Sequence, residues 1–161
     1  MINRLVILGA GISGVGAAIL AKKNGIEVFL SDKNKINDDN KTLLLNHRIE
    51  WEEEKHTLKK ILNATEVVKS PGIPNDTFEI KKLTEKNIPI ISEVEFAFRY
   101  TDAKIAAITG SNGKTTTALL LGHILQNAGY DVLIAGNVGV GFAFSISERD
   151  YEYIVLELSS F

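Results

Sequence analysis

Short apolar runs recur along this chain, and most of them end in a glycine- or serine-bearing turn. Arg4 to Leu8 is nearly continuous in apolar residues, which predicts a buried strand, and Gly9-Ala10-Gly11-Ile12-Ser13-Gly14 follows at once. A helix of small residues, Val15 to Lys23, is predicted next, with Asn24-Gly25 as its left-handed stop. Ile26 to Leu30 reads as a second strand ending at Ser31-Asp32, then a polar loop runs to Asn40. A short helix carrying Leu43 to His47, a strand at Ile49 to Trp51, an acidic run Glu52 to Glu54 and a strand at Glu66 to Lys69 complete this part. Asp76-x-x-Glu79 and Ser92-x-x-Glu95 have capping-box spacing, the second with Ile91 and Phe96 placed for a hydrophobic staple, so helices are predicted from near Thr77 and Glu93.

The second half repeats the theme. Ile105 to Ile108 is a buried strand, Gly110-Ser111-Asn112-Gly113 a tight loop, and Lys114-Thr115 opens a helix that runs to Asn127. That helix is apolar nearly all round, which predicts a central position in its domain. Asp131 to Ala135 and Tyr153 to Leu158 are further strands, the first ending in Gly136-Asn137-Val138-Gly139. Strands alternating with helices predict an α/β fold with parallel sheets. A change of domain is placed at the helix Glu93 to Tyr100, giving residues 1–93 and 94–161. Glu52 to Glu54 reads as a solvated face, His47 and His56 as surface residues, His123 as a helix-packing residue, and Trp51 as at least half-buried.

Charge and composition narrow the chemistry. A net charge of -2 over 161 residues gives no electrostatic footing for nucleic acid or an anionic membrane, so anions must be bound locally, at loops and helix ends. With no cysteine, disulfides, thiolate metal sites and cysteine nucleophiles are excluded. The opening apolar run is too short for a signal peptide, and no stretch is long enough to span a membrane, which leads to the expectation of a cytoplasmic protein acting on a soluble anionic substrate.

Strand, glycine loop, lysine and threonine at 105–117 read as a phosphate cradle, with an ordinary strand-loop-helix junction as the alternative. Backbone N–H groups of the loop and of the first helical turn converge on an anion, and the helix dipole adds about half a positive charge. Gly110, Ser111, Asn112, Gly113, Lys114, Thr115 and Thr116 are the candidate phosphate-binding residues, Lys114 as the mobile cation and Thr115 as a magnesium ligand. Ile108 stands where the general P-loop has its first glycine, so the motif is a shortened relative. Glu157, an acid at the end of an apolar strand, is the candidate magnesium carboxylate, with a plain edge-strand glutamate as the alternative.

Gly9 to Gly14 keeps the G-x-G-x-x-G spacing, and Asp32 lies 18 residues beyond Gly14, as in the dinucleotide fingerprint of a Rossmann-like fold. The same glycines serve any doubly wound fold that brings backbone near a ligand or packs a helix tightly. At Ser70-Pro71-Gly72-Ile73-Pro74, the Ser70 hydroxyl and the Gly72 N–H can reach a diphosphate, or the segment is a plain turn.

TGSNGKTT at 109–116, GNVG at 136–139 and ELSSF at 157–161 together resemble the ATP-dependent Mur ligases of peptidoglycan synthesis, and ILGAGISG at 7–14 with SPGIP at 70–74 extends the resemblance over the whole chain. It implies a UDP-binding Rossmann-like domain at 1–93 and the opening part of a P-loop ATPase domain at 94–161, with a C-terminal domain lying beyond this sequence. It implies ATP and Mg2+ as cofactors, and UDP-N-acetylmuramoyl-L-alanine and D-glutamate as substrates; the L-alanine-adding relative is the alternative. Residue by residue, Ile12, Ser13, Asp32 and Lys33 match positions around the uridine, and Ser70 and Gly72 match the diphosphate turn. Lys114 and Thr115 match the phosphate lysine and the magnesium hydroxyl, Glu157 a magnesium carboxylate, and Asn137 and Ser159 contacts to the muramoyl part. The resemblance also implies a monomeric parent protein, and that this chain alone does not ligate. Three rivals stand beside it: an NAD-dependent oxidoreductase built on Gly9 to Gly14, a P-loop NTPase with a Rossmann-like neighbour, and a UDP-sugar binding module. A half-built second sheet is expected to leave Leu119 to Leu125, Val132 to Ala135 and Ile154 to Leu158 short of cover.

Overall fold

Strands that are apolar at consecutive positions can be buried on both faces, the condition for parallel sheets covered by helices. The computed structural model, which describes residues 2–159, contains two such sheets. In the first, β1 (Arg4–Leu8), β2 (Glu27–Ser31), β3 (Glu50–Glu52), β4 (Glu66–Lys69) and β5 (Ile90–Ile91) lie in the order β3-β2-β1-β4-β5. In the second, β6 (Lys104–Ile108), β7 (Val132–Gly136) and β8 (Tyr153–Glu157) lie in the order β6-β8-β7. Every pairing is parallel, with Val6 opposite both Phe29 and Val67, and Leu156 opposite both Ala107 and Ala135. All carboxyl ends of a sheet therefore share one edge, where open α/β sheets gather their ligands.

The helices are α1 (Ile12–Lys23), α2 (Asp38–Asn46), α3 (Leu58–Ile61), α4 (Phe78–Glu85), α5 (Glu93–Phe98), α6 (Lys114–Asn127) and α7 (Phe142–Glu148). Strand alternation divides β1 between two cores. Leu5 and Ile7 pack with α1, while Val6 and Leu8 join Phe29, Ile61, Ile80 and Leu83 on the other face.

The sequence gives little notice of α7, yet it joins the two sheets. Phe142, Ala143 and Ile146 of α7 belong to the same core as Ala17, Ala18 and Ile19 of α1, Phe96 of α5 and Leu133, Ile154 and Leu156 of the second sheet. The α1–α7 crossing is close because residue 16 is glycine: a Cβ there would lie 2.8 Å from the Phe144 backbone nitrogen. Ser92 caps α5 by accepting from the Glu95 N–H at 3.1 Å, as its spacing predicts. Arg99 then fixes the far end of α5 to β4 through Nη1 contacts of 2.8 and 3.1 Å to the Glu66 carboxylate.

Several expectations are corrected. Glu52 is buried on β3, not solvated: its Oε1 accepts from the Ser31 hydroxyl and the Thr57 N–H. Glu53 pairs with Lys41 at 2.7 Å. His47 and His56 are half-buried, and His56 Nδ1 lies 2.7 Å from Ser31 Oγ. His123 does not pack between helices; it is exposed and meets the Asn127 amide at 2.8 Å. Asp76 caps nothing, because α4 starts one residue later, with Thr77 at its N-cap and no side-chain capping bond. Helix α6 is not central: only Ala118 and Gly122 are buried, and Leu119, Leu120 and Ile124 are 47%, 57% and 54% exposed, since one face alone meets the three-stranded sheet. Strands β7 and β8 are covered after all, whereas β6, expected to be buried, is an edge strand paired only with β8 and has no buried residue. Val132 and Val155 lie under α6, and Leu133, Ala135, Ile154 and Leu156 under α7 and α1.

Candidate functional site

At the carboxyl edge of the second sheet three strand ends are tied together. The Leu158 N–H donates to the Ile108 carbonyl at 2.8 Å, and the Asn137 N–H to the Glu157 carbonyl at 3.0 Å. Only glycine lets β7 leave the sheet beside β8, since a Cβ on Gly136 would lie 2.2 Å from the Glu157 oxygen. The loop after β6 turns through Gly113, at φ 75°, a left-handed geometry that costs glycine no steric penalty. Gly113 is the N-cap of α6 and no side chain caps that turn, so the first N–H groups of a 14-residue helix face the loop.

Around this cradle the candidate residues meet. The Lys114 Nζ donates to the Gly110 carbonyl at 2.6 Å, and the Thr115 hydroxyl donates to Glu157 Oε2 at 2.9 Å. Glu157 is buried, and Asn137 and Ser159 are bonded to each other through the Asn137 amide and Ser159 Oγ at 3.0 Å. A hydroxyl and a carboxylate oxygen side by side, next to an uncapped helix start, form a hard-oxygen donor set suited to a divalent cation carried in with nucleotide phosphates. No cluster of three or more His, Cys, Asp or Glu with metal-binding geometry occurs among the described residues, so any such ion would complete its shell with phosphate oxygens and water. Ser160 and Phe161 of the ELSSF segment lie outside the described residues.

The edge of the first sheet is built likewise. Gly9 follows β1 and donates to the Ser31 carbonyl at 2.9 Å; the Ser70 side chain occupies the space a Cβ on Gly9 would need. Gly11 is the N-cap of α1, again without a side-chain capping bond. Asp32 clamps this turn: Oδ2 accepts from the Ala10 N–H at 2.7 Å and Oδ1 from the Asn34 N–H at 2.8 Å. Behind it, burial pushes the Glu52 carboxyl up, but hydrogen bonds from Thr57 and Ser31 outweigh burial and hold it below the usual range. Ile12 and Lys33 are exposed beside this turn, and Gly72 is exposed in the Ser70 to Pro74 turn.

Between the two edges lies a cleft of about 740 Å³. Ser13 and Lys69 line it from the first sheet, and Asn137, Glu157 and Ser159 from the second. Asp32 and Lys33 are not part of its lining; they sit at the end of β2. Glu93, marked in the sequence only as the start of a helix, also lines the cleft. It is buried, its Oε1 accepts from the Ala143 N–H at 2.6 Å, and burial raises its carboxyl pKa against the pull of that bond.

Comparison with known proteins finds relatives of both halves of the chain. Residues 4–78 match the MurD N-terminal domain, and residues 108–161 the Mur ligase middle domain. The UDP-N-acetylmuramoylalanine–D-glutamate ligase of Bacteroides fragilis is 57% identical over 159 residues, covering 99% of this chain and 36% of that protein. The protein of the same name from Porphyromonas gingivalis is 52% identical over 157 residues, covering 98% of this chain and 35% of its own length. The chain thus spans about a third of the length of these relatives. Among solved structures, a murein peptide ligase from Psychrobacter arcticus superposes with a TM-score of 0.63 at 23% identity, over 96% of this chain and 37% of that one. The UDP-N-acetylmuramate-alanine ligase of Thermotoga maritima gives 0.63 at 20% identity, over 99% and 37%. These two likenesses establish the fold.

Proposed function

The chain belongs to the Mur ligase family, and from that premise we propose that it serves the ATP-dependent joining of D-glutamate to UDP-N-acetylmuramoyl-L-alanine, a cytoplasmic step of peptidoglycan synthesis. The observation that carries the proposal is the Thr115–Glu157 pair at 2.9 Å, whose carboxylate residue, Glu157, lines the same cleft as Ser13, Asn137 and Ser159. A nucleotide cradle and a substrate cleft that share one carboxylate are what a phosphoryl transfer between two bound molecules requires.

In this reading Gly110 to Thr116 hold the ATP phosphates, and Lys114 leaves the Gly110 carbonyl to balance charge on the transferred group. Thr115 and Glu157 would hold Mg2+, which supplies charge neutralisation when bound. Ile12, Ser13, Asp32, Lys33, Ser70 and Gly72 hold the uridine diphosphate end of the acceptor, and Asn137 and Ser159 its muramoyl part. An oxygen of the acceptor's terminal carboxylate attacks the γ-phosphorus and ADP leaves with the electrons of the broken P–O bond, which turns a poor electrophile into an acyl phosphate. The amine of D-glutamate then attacks the carbonyl carbon, and inorganic phosphate departs with the C–O bond electrons. Residues 1–93 act as the uridine nucleotide unit and 94–161 as the opening part of the ATPase unit, with the amino acid read by chain beyond this sequence.

Isothermal titration of this chain with UDP, and separately with NAD, tests the first-sheet assignment. UDP binding that weakens in Asp32→Ala supports it. NAD binding without UDP binding overturns it in favour of a nicotinamide site.

A further inference from the structure

Lys69 is a cation whose position the fold does not explain. It ends β4, next to the Ser70 to Pro74 turn, and lines the cleft with Ser13. Its Nζ donates to the Ile73 carbonyl at 2.6 Å, and among the described residues it enters no ion pair. The arrangement repeats that of Lys114, whose Nζ donates at 2.6 Å to the Gly110 carbonyl four residues away. Each lysine adjoins a glycine-bearing turn at the carboxyl edge of its sheet, and each rests on a neutral carbonyl of that turn. A phosphate oxygen is the stronger acceptor for an ammonium, because both partners are then charged.

We propose that Lys69 is the phosphate-binding cation of the first sheet, moving from the Ile73 carbonyl to the diphosphate of a uridine diphosphate ligand. The assignment rests on the reading that the turns at Gly9 to Gly14 and Ser70 to Gly72 receive such a diphosphate. The need is electrostatic. Both phosphates are ionised at neutral pH, whereas the start of α1 offers only the partial charge of its dipole. Lys33, another cation near this edge, is exposed and adjoins the Asp32 carboxylate, which offsets its charge. Lys69 is half-buried, on the strand whose next residue packs against Gly9, so its ammonium is placed where water screens it less. The proposal makes Lys69 a specificity residue: it favours a nucleoside diphosphate over the nucleoside and leaves recognition of the base to the Asp32 end.

Isothermal titration of this chain with uridine, UMP and UDP tests it. Lys69→Ala is expected to lose about tenfold in UDP affinity, equal to about 1.4 kcal/mol, and to keep its uridine affinity. Lys69→Arg should recover most of the loss, and UDP binding by Lys69→Ala should depend less on ionic strength than in the parent chain. Equal losses for uridine and UDP would make Lys69 a brace for its turn and overturn the assignment. UDP binding unaffected by Lys69→Ala would also overturn it, while leaving the uridine nucleotide reading intact. If the parent chain binds no UDP, that reading fails and the role of Lys69 falls with it.

Discussion

Replacing Gly16 by alanine isolates the contact that joins the two sheets. The added Cβ would lie 2.8 Å from the Phe144 nitrogen, 3.1 Å from its Cβ and 3.3 Å from its Cα, and two of these three atoms are backbone. Relief therefore requires α1 and α7 to separate, since no side-chain rotation moves the obstacle. Such overpacking costs about 1–3 kcal/mol. Alanine in place of glycine within a helix returns roughly 1 kcal/mol. A net loss of up to about 2 kcal/mol follows, or a Tm lower by up to roughly 8 °C for a chain of this size.

Gly122 in α6 provides the matched comparison. A Cβ there would meet Ile134 Cδ1 at 2.3 Å and Cγ1 at 2.7 Å, both atoms of a flexible side chain. Rotating Ile134 costs about 0.5–1.5 kcal/mol, which the helical gain nearly offsets, so Gly122→Ala should fall within about 0.5 kcal/mol of the parent. Urea unfolding of both variants, followed by circular dichroism, measures the difference. A Gly122→Ala variant that loses as much as Gly16→Ala would refute the distinction between backbone and side-chain obstacles.

Glu93 makes a pH-dependent prediction. Burial raises its carboxyl pKa, so the native state holds that proton more tightly than the unfolded chain does. Its contribution is full below the ordinary carboxylate range and lost as pH rises through the raised value. Glu93→Gln, which keeps an acceptor for the Ala143 N–H, should be the more stable protein at neutral pH, with the gap closing as the solution is acidified; a gap that ignores pH in paired thermal melts would argue against this. Ser92→Ala removes the bond to the Glu95 N–H and should cost about 1 kcal/mol in urea unfolding with an unchanged m-value. The exposed row of Leu119, Leu120 and Ile124 should drive concentration-dependent self-association, and Leu120→Lys should reduce it in sedimentation velocity.

Elements whose local pattern carries their own reason were legible in the sequence. The strands at Arg4–Leu8 and Lys104–Ile108 and the helix start beside Gly113 follow from apolar runs that end in glycine turns, whereas α1 begins at Ile12, three residues before the predicted Val15, inside the glycine segment. Thr115 and Glu157 were paired by chemical type, and the structure brings them to 2.9 Å. What stayed hidden depends on neighbours distant in the chain. Glu52 looked solvated because its acceptors' partners, Ser31 and Thr57, come from β2 and the start of α3. Helix α7 was missed because seven residues give barely two turns of periodicity, and α6 looked central because composition does not reveal how many faces find a partner.

The shared core has a thermodynamic consequence. A three-stranded sheet with one short and one half-covered helix is a marginal unit when isolated. Here Leu133, Ile154 and Leu156 are buried in one core with Phe142 and Ile146 of α7 and with α1. Unfolding of either sheet would strip cover from the other, so the phosphate cradle is conditional on the integrity of the N-terminal strands. A ligand held at the first sheet then stabilises the cradle without touching it: at a hundredfold excess over Kd, by about 2.7 kcal/mol, through mass action alone.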